Sequence, residues 1–207
     1  MAHRHQAHPL SPPAGLLLTG GSSSRMGTDK ASLALGGARL AERAALALAG
    51  TCRPVLEVGP GRSGLPVAPE GQPGSGPLCA LAAGARALAL AGHRGPAVVL
   101  ACDMPLVPPE LVGLLAGWPG RGSAVPVWAG RPQPLCARWS ASALRAAGGL
   151  AASGRRSLRP LLGLADVCLV PEGAWRAVAG PEALMDVDTP ADLERAARLL
   201  GAGHPGR

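Results

Sequence analysis

The sequence predicts an α/β protein built around a mostly parallel sheet. Short apolar segments alternate with helical segments through the first half of the 207-residue chain, which is the rhythm of βαβ units. A loop rich in glycine and serine, residues 19–27, directly follows the first apolar segment, and Asp103 directly follows a later one. Because ligands of such sheets bind beyond the carboxyl ends of the strands, we expect both features to face one crevice.

Apolar periodicity and turn residues define the elements of the first half. Apolar positions at helical spacing between residues 39 and 49 predict a helix, and Gly50 suits its end. Pro77 favours the first position of a second helix, because its fixed φ matches helical backbone. The predicted elements are strands at residues 16–18, 54–58, 65–68 and 97–101, and helices at residues 39–49, 77–91 and 108–117.

The second half of the sequence is less regular. Two β-rich segments around a turn of glycine and proline predict a small antiparallel excursion from the parallel sheet. Ser140 is a suitable N-cap for a helix that ends near Ala147, and Thr189 is a suitable N-cap for a final helix that starts at Pro190. The predicted elements are strands at residues 124–128, 135–138 and 166–170, and helices at residues 140–147, 158–164 and 190–200.

Composition limits the classes of function. The formal net charge is +7, but the arginines are spread along the chain and form no basic cluster of the kind typical of nucleic-acid patches. The chain has no Phe or Tyr, so it offers few rings on which the bases of a single strand could stack. We therefore expect no nucleic-acid partner, and the positive charge fits a small polyphosphate substrate.

Cysteine usage and the N-terminal sequence predict a cytoplasmic protein. The five cysteines are odd in number and contain no CxxC pair, so neither a zinc site nor a disulfide framework is indicated. The N-terminal residues lack the apolar core of a signal peptide, and no apolar stretch is suited to span a membrane. We expect residues 1–13 to be a disordered leader, residues 14–202 a single domain, and residues 203–207 a tail.

The glycine-rich loop has the features of a phosphate cradle. Gly20 and Gly21 can adopt positive φ and let the backbone approach a ligand, and successive N–H groups in such a turn form a concavity that binds anions. Arg25 and Lys30 add two positive charges that would complement a polyphosphate. The spacing matches neither the Walker loop nor the dinucleotide-binding fingerprint.

Asp103, at the same predicted sheet edge, is a candidate ligand for Mg²⁺. Mg²⁺ sites typically use one or two carboxylates together with substrate phosphates, although an Asp after a strand is also a common turn or N-cap residue. Asp186 and Asp188 are further candidates, although the Asp-Thr-Pro segment is also explained as the start of the last helix. Arg155 and Arg156 could bind an acceptor phosphate through bidentate hydrogen bonds, with an exposed basic turn as the alternative.

Residues 18–30, Leu-Thr-Gly-Gly-Ser-Ser-Ser-Arg-Met-Gly-Thr-Asp-Lys, resemble the L-A-G-G-x-S-x-R-M-G-x-D-K signature of MobA-like nucleotidyltransferases. Three later segments also resemble that family, in the right order along nearly the whole chain. They are Gly-Pro-Leu at residues 76–78, Cys-Asp-Met-Pro at residues 102–105, and Asp-Thr-Pro at residues 188–190.

The resemblance implies a Rossmann-like, three-layer α/β/α nucleotidyltransferase fold. It also implies the transfer of GMP from GTP to molybdopterin with Mg²⁺ as cofactor and pyrophosphate as product. A cytidylyltransferase acting on molybdopterin, an enzyme for another small phosphorylated acceptor, and a non-catalytic nucleotide-binding protein are the alternatives. The expected partners are the two substrates and, transiently, other proteins of molybdenum cofactor biosynthesis, and the expected oligomeric state is a monomer.

The resemblance also assigns roles to individual residues. Arg25, Lys30 and Asp103 would be catalytic, with the two cations on the phosphates and Asp103 on Mg²⁺. Asp188 joins Arg155 and Arg156 as a candidate for binding the acceptor. The residues expected to bind the nucleotide are Leu18, Thr19, Gly20, Gly21, Lys30, Glu70 and Asp103.

The chain departs from the family pattern at three places. Position 19 is Thr where Ala is usual, and the Asn expected after the second strand is missing around residues 57–59. The family's acidic nucleotide contact has its nearest counterpart in Glu70, at an altered spacing. These departures concern the choice of base and acceptor.

Overall fold

The computed structural model of the protein describes residues 12–20, 29–71 and 74–202. Within these ranges the strands are β1 (Ala14–Leu18), β2 (Ala34–Leu35), β3 (Ala38–Arg39), β4 (Val55–Val58), β5 (Val67–Ala68), β6 (Ala97–Ala101), β7 (Ser123–Trp128), β8 (Arg131–Pro132), β9 (Cys136–Trp139) and β10 (Val167–Val170). The α-helices are α1 (Leu40–Ala49), α2 (Pro77–Leu90), α3 (Pro109–Ala116), α4 (Ala141–Ala152), α5 (Glu172–Trp175) and α6 (Pro190–Ala202). Lys30–Ser32 and Arg159–Gly163 are 3₁₀ helices.

The main sheet has the strand order β5-β4-β1-β6-β9-β7-β10. Its strands run parallel except β9, which lies antiparallel between β6 and β7, and β8 pairs antiparallel with β7. This confirms the predicted mostly parallel α/β fold with an antiparallel excursion in the second half. The chain moves from β1 to β4 on one side and to β6 on the other, so the crevice of the sheet lies beyond the carboxyl ends of β1 and β6.

Helices cover both faces of the sheet, which explains why β1 and β6 are apolar along their whole lengths. Neighbouring residues of a strand point to opposite faces, so Leu17 packs with α1 and α3 while Leu16 packs with α2 and α4. A third cluster joins Leu35 and Leu40 to Met185 and Val187, and it fixes the segment before α6 near the sheet. The result is the three-layer α/β/α arrangement.

Several boundaries differ from the sequence prediction for identifiable reasons. The segment predicted as a helix at 158–164 forms a short 3₁₀ helix with a proline in its first turn. Helix α4 continues to Ala152 through Gly148 and Gly149, because packing against α2 outweighs the weak helix propensity of glycine. The β2–β3 hairpin, which turns at Gly36 and Gly37, and the four-residue α5 are too short to give a periodic signal.

The chain ends and the cysteines complete the description of the fold. Residues 1–11 and 203–207 lie outside the described ranges, whereas Pro13 is buried and its carbonyl accepts a hydrogen bond from Arg53 N at 2.9 Å.

All five cysteines are free thiols, and burial raises the pKa of Cys52 and Cys136 to about 12. In the described part of the chain, no helix has both the length and the apolar character needed to cross a membrane.

Candidate active site

The carboxyl ends of β1 and β6 open onto one cavity of about 270 Å³. It collects residues that are far apart in the sequence, from the end of β1, the loop before α2, the start of α2 and the end of β6. Its lining residues are Leu18, Thr19, Gly20, Lys30, Glu70, Gly74, Gly76, Pro77, Ala80, Ala101, Cys102, Asp103 and Leu135. All predicted nucleotide-binding residues that the structure describes are therefore in this lining.

Asp103 presents an incompletely satisfied carboxylate to the cavity. Its Oδ1 is buried and, among the described residues, has no hydrogen-bond partner, while its Oδ2 lies 4.0 Å from Lys30 Nζ. Burial raises the pKa of Asp103, Lys30 opposes that rise, and Asp188 adds to it. Because a buried oxygen without a partner is costly, Oδ1 is an atom that a bound cation would stabilise.

Lys30 lies between two carboxylates. It opens a 3₁₀ turn that Asp29 caps, with Asp29 Oδ1 accepting a hydrogen bond from Ala31 N at 3.1 Å. Its ammonium group forms an ion pair with Asp188 Oδ1 and lies 4.0 Å from Asp103 Oδ2. The side chain is only 17% exposed, so its charge acts on both acids at close range.

A backbone hydrogen bond fixes the Asp-Val-Asp segment beside Asp103. Val187 is buried, and its N–H donates to the carbonyl of Asp103 at 2.8 Å. Asp186 is exposed by surface area, yet its pKa is raised to about 6. The largest cause is desolvation by the surrounding protein atoms, and the negative charges of Asp103 and Asp188 add to it. The positive charge of Lys30 acts in the opposite direction. The segment thus adds negative charge next to Asp103.

Glu70 lies against the backbone of Gly20. A Cβ added at Gly20 would lie 2.3 Å from Glu70 Oε2, so glycine is the residue that allows this approach. Burial raises the pKa of the Glu70 carboxyl. The acid that the sequence offered as the nearest counterpart of a family nucleotide contact is therefore part of the cavity wall beside the first glycine of the signature.

Comparison with known proteins places this site in a family. A family model described as the MobA-like NTP transferase domain matches residues 15–167, which hold β6, nearly all of β1 and every residue of the cavity lining. The chain belongs to the MobA-like NTP transferase family. This membership confirms the resemblance drawn from the signature.

Curated members of the family align with most of the chain. A probable molybdenum cofactor guanylyltransferase of Chloroflexus aggregans is 35% identical over 203 residues, which cover 91% of this chain and 95% of that protein. A protein of the same name from Mycobacterium avium is 35% identical over 196 residues, covering 89% and 95%. The crystal structure of molybdopterin-guanine dinucleotide biosynthesis protein A from Archaeoglobus fulgidus has a TM-score of 0.76 at 23% identity, over 91% of this chain and 99% of that chain, and shows the shared fold.

The remaining predicted residues of the MobA-like site have different positions. Arg155 and Arg156 are exposed and are not in the cavity lining. Their turn contacts the start of α2, where Leu78 N donates to the Arg156 carbonyl at 2.9 Å. A Cβ on Gly76, whose φ is +96°, would lie 2.9 Å from the same carbonyl oxygen. The predicted residues Gly21 and Arg25 lie outside the described residues.

The structure adds one residue that the sequence analysis did not select, Glu57. It lies on β4, is fully buried, and accepts a hydrogen bond from Thr19 Oγ1 at 2.6 Å. Two departures from the MobA-like pattern, Thr at position 19 and the altered sequence around residue 57, are thus in direct contact. The sequence did contain a signal for Glu57, since it is the one acidic residue within the apolar strand Val55–Val58. A charge buried in such a strand needs hydrogen-bond partners, which marks it as a residue with a specific role.

Proposed function

We propose that this protein transfers GMP from GTP to molybdopterin and releases pyrophosphate. The observation that carries the proposal is the Oδ1 of Asp103 beside Lys30, buried and without a hydrogen-bond partner among the described residues, in a cavity at the switch point of a MobA-like sheet. The names of the two curated relatives support GTP as the nucleotide and the molybdenum cofactor as the acceptor.

The residues at the cavity fit a divalent cation. Among the described residues, no group of three His, Cys, Asp or Glu side chains forms a complete metal site. Mg²⁺ is typically held by one or two carboxylates together with substrate phosphates, and Asp103, with Asp186 or Asp188, would provide the carboxylates. When bound, Mg²⁺ would supply charge neutralisation at the phosphate that is attacked.

The protein's own residues would bind and orient the triphosphate. Lys30, already held between two acids, would turn its ammonium group to the phosphate oxygens and stabilise the departing pyrophosphate. Thr19 and Gly20 would form the wall on which the nucleotide lies. In such reactions positioning and electrostatic stabilisation dominate over covalent chemistry by the protein.

The reaction needs no general base from the cavity. An oxygen of the acceptor's terminal phosphate, which is ionised near neutral pH, forms the new bond to the α-phosphorus of GTP. The bond from that phosphorus to the bridging oxygen breaks, and its electron pair leaves with pyrophosphate. The pKa values of Asp103 and Asp186 are raised first by desolvation and then by the neighbouring acids, and neither group has to accept a proton in the reaction.

The test is pyrophosphate release by the purified protein with Mg²⁺, molybdenum-loaded molybdopterin and, in separate reactions, GTP, CTP, ATP or UTP. We expect turnover with GTP. Equal or faster turnover with CTP would replace the guanylyltransferase assignment by a cytidylyltransferase. Turnover only with a different phosphorylated acceptor would correct the acceptor, and the absence of pyrophosphate with every nucleotide would contradict a transferase.

A further inference from the structure

A buried carboxylate outside the cavity organises the loop that follows β4. Glu57 is fully buried and accepts hydrogen bonds from Thr19 Oγ1 at 2.6 Å, from Gly61 N, Arg62 N and Ser63 N, each at 2.8 Å, and from Ser63 Oγ at 2.6 Å. Burial would raise the pKa of Glu57, but these hydrogen bonds outweigh it and lower the pKa. Glu57 is therefore a buried anion held by neutral donors.

Two glycines allow the loop to converge on this carboxylate. Gly61 has φ of +79°, which turns the N–H groups of residues 61–63 towards one point, as in backbone anion sites. Gly59 has φ of +150°, and a Cβ there would lie 2.2 Å from Thr19 Oγ1 and 2.9 Å from Gly20 N. The loop after β4 is thus packed directly against the turn that lines the cavity.

The same loop also reaches the other end of the signature. Arg62, whose N–H donates to Glu57, donates from its Nε to Asp29 Oδ2 at 2.7 Å. Asp29 in turn caps the 3₁₀ turn that begins at Lys30. One carboxylate is therefore linked to Thr19 on one side of the signature and, through Arg62, to Lys30 on the other.

We infer that Glu57 is a positioning residue for nucleotide binding, which it serves without touching the nucleotide. This inference rests on the proposed function, because it needs the cavity to be a nucleotide site. Thr19 and Gly20 line that cavity, and the Thr19 hydroxyl is directed to Glu57. Without the carboxylate, the turn at Thr19 and the loop at 59–63 each lose the group that fixes their conformation.

The first test is Glu57→Gln, which keeps the shape but loses the charge and points an amide N–H₂ towards backbone donors. We expect the KM for GTP to rise about tenfold, the size associated with one broken buried hydrogen bond to a charged group, with a smaller change in kcat. Thr19→Val keeps the branched shape of threonine without the hydroxyl, and it tests the same bond if Glu57→Gln does not fold. We expect Thr19→Val to raise KM in the same direction.

Further variants separate the link from Glu57 to Thr19 from the link that runs through Arg62 to Asp29 and Lys30. Because Glu57 and Thr19 share one hydrogen bond, the double variant should raise KM by less than the product of the two single effects. Arg62→Ala removes the link to Asp29 and keeps the Arg62 N–H that donates to Glu57, so we expect it to act mainly on kcat through the placement of Lys30. A multiplicative double variant would show that the Glu57–Thr19 bond does not transmit the effect, which would overturn this inference.

Asp166→Asn is the matched control. Asp166 Oδ2 accepts hydrogen bonds from Ser140 Oγ and Ser142 Oγ, each at 2.6 Å, but it precedes β10 and so lies at the opposite edge of the sheet. We expect it to lower the melting temperature and leave the KM for GTP unchanged. An equal rise in KM in this control would show a general effect of lost stability and would overturn the inference.

The remaining outcomes distinguish the inference from the function on which it rests. A wild-type protein that turns over GTP while folded Glu57→Gln and Thr19→Val keep its KM would overturn only the role of Glu57. A wild-type protein that neither binds nor turns over any nucleotide, measured by calorimetry and pyrophosphate release, would overturn the proposed function itself.

Discussion

The ammonium group of Lys30 forms an ion pair with the carboxylate of Asp188, which lies 158 residues later in the chain. The contact links the end of the glycine-rich signature to the Asp-Thr-Pro segment before α6. It also places the lysine 4.0 Å from Asp103, so its charge acts on an acid of the cavity lining and on a second acid beside the cavity. A triphosphate would have to compete with Asp188 for this charge.

Lys30→Ala should therefore lower kcat/KM by ~10²-fold or more, the scale of removing one transition-state contact. Lys30 also lowers the pKa of Asp103 and Asp186, so its loss should raise both values and move the acidic limb of the pH–rate profile to higher pH. Pyrophosphate release measured between pH 5 and pH 9 checks both effects. A lower rate with an unchanged pH profile would contradict the electrostatic coupling.

Asp103→Asn should lower kcat by ~10²-fold or more while the protein stays folded. The pKa of Asp103 is raised in the folded state, which means that its ionised form is disfavoured there relative to the unfolded chain. The neutral amide removes that penalty at pH 7.5, so we expect the melting temperature without Mg²⁺ to be no lower than that of wild type. Full activity of a correctly folded variant would contradict the site.

Asp186→Asn should change stability in a way that depends on pH. Desolvation by the surrounding protein atoms and the charges of the neighbouring acids raise the pKa of Asp186 to about 6, above an ordinary value of about 3.9. Folding therefore becomes less favourable as this group ionises between those values, and the loss is complete above pH 6. We expect the variant to unfold at a higher temperature than wild type at pH 7.5 without Mg²⁺, and this gain to disappear at pH 4. An equal gain at both values would contradict the assignment of the effect to ionisation.

The sequence predicts the site best where local pattern and topology coincide. Gly20 and Asp103 each come two residues after the apolar segments that form β1 and β6, and parallel strands carry both residues to the same edge. The contact of Lys30 with Asp188 has no local signal, since it depends on where α6 packs. The same holds for Glu57, whose partners come from β1 and from a loop that depends on positive φ at Gly61.

Helix α4 shows the same limit of local reasoning for the fold. Gly148 and Gly149 led to a predicted end at Ala147, because glycine is a poor helix former, yet the helix continues to Ala152. Contacts between α2 and α4 supply the stabilisation that the local sequence lacks. Gly148 and Gly149 are thus positions in α4 where a residue of higher helix propensity could add stability.

Gly148→Ala should therefore stabilise the protein by about 0.5–1 kcal/mol, because alanine reduces the entropy of the unfolded chain. A Cβ at this position would have no heavy atom within 4 Å, so no steric conflict is expected. Chemical denaturation checks the value, and the KM for GTP should not change, because Gly148 is not in the cavity lining. Gly92→Ala is the contrasting control: the space is also open there, but φ is +86°, and we expect a loss of stability.

Gly20→Ala tests the approach of Glu70 to the signature. The new Cβ would lie 2.3 Å from Glu70 Oε2, and the flexible end of that side chain can move away, so we expect little change in melting temperature. The displaced carboxylate and the added methyl group should raise the KM for GTP by about tenfold or more. If displacement of Glu70 causes most of this effect, Gly20→Ala should have a much smaller effect in a Glu70→Ala background, as a double-mutant cycle measures. An effect of equal size in both backgrounds would show that the methyl group itself blocks the nucleotide, and it would contradict a role of Glu70 in binding the nucleotide.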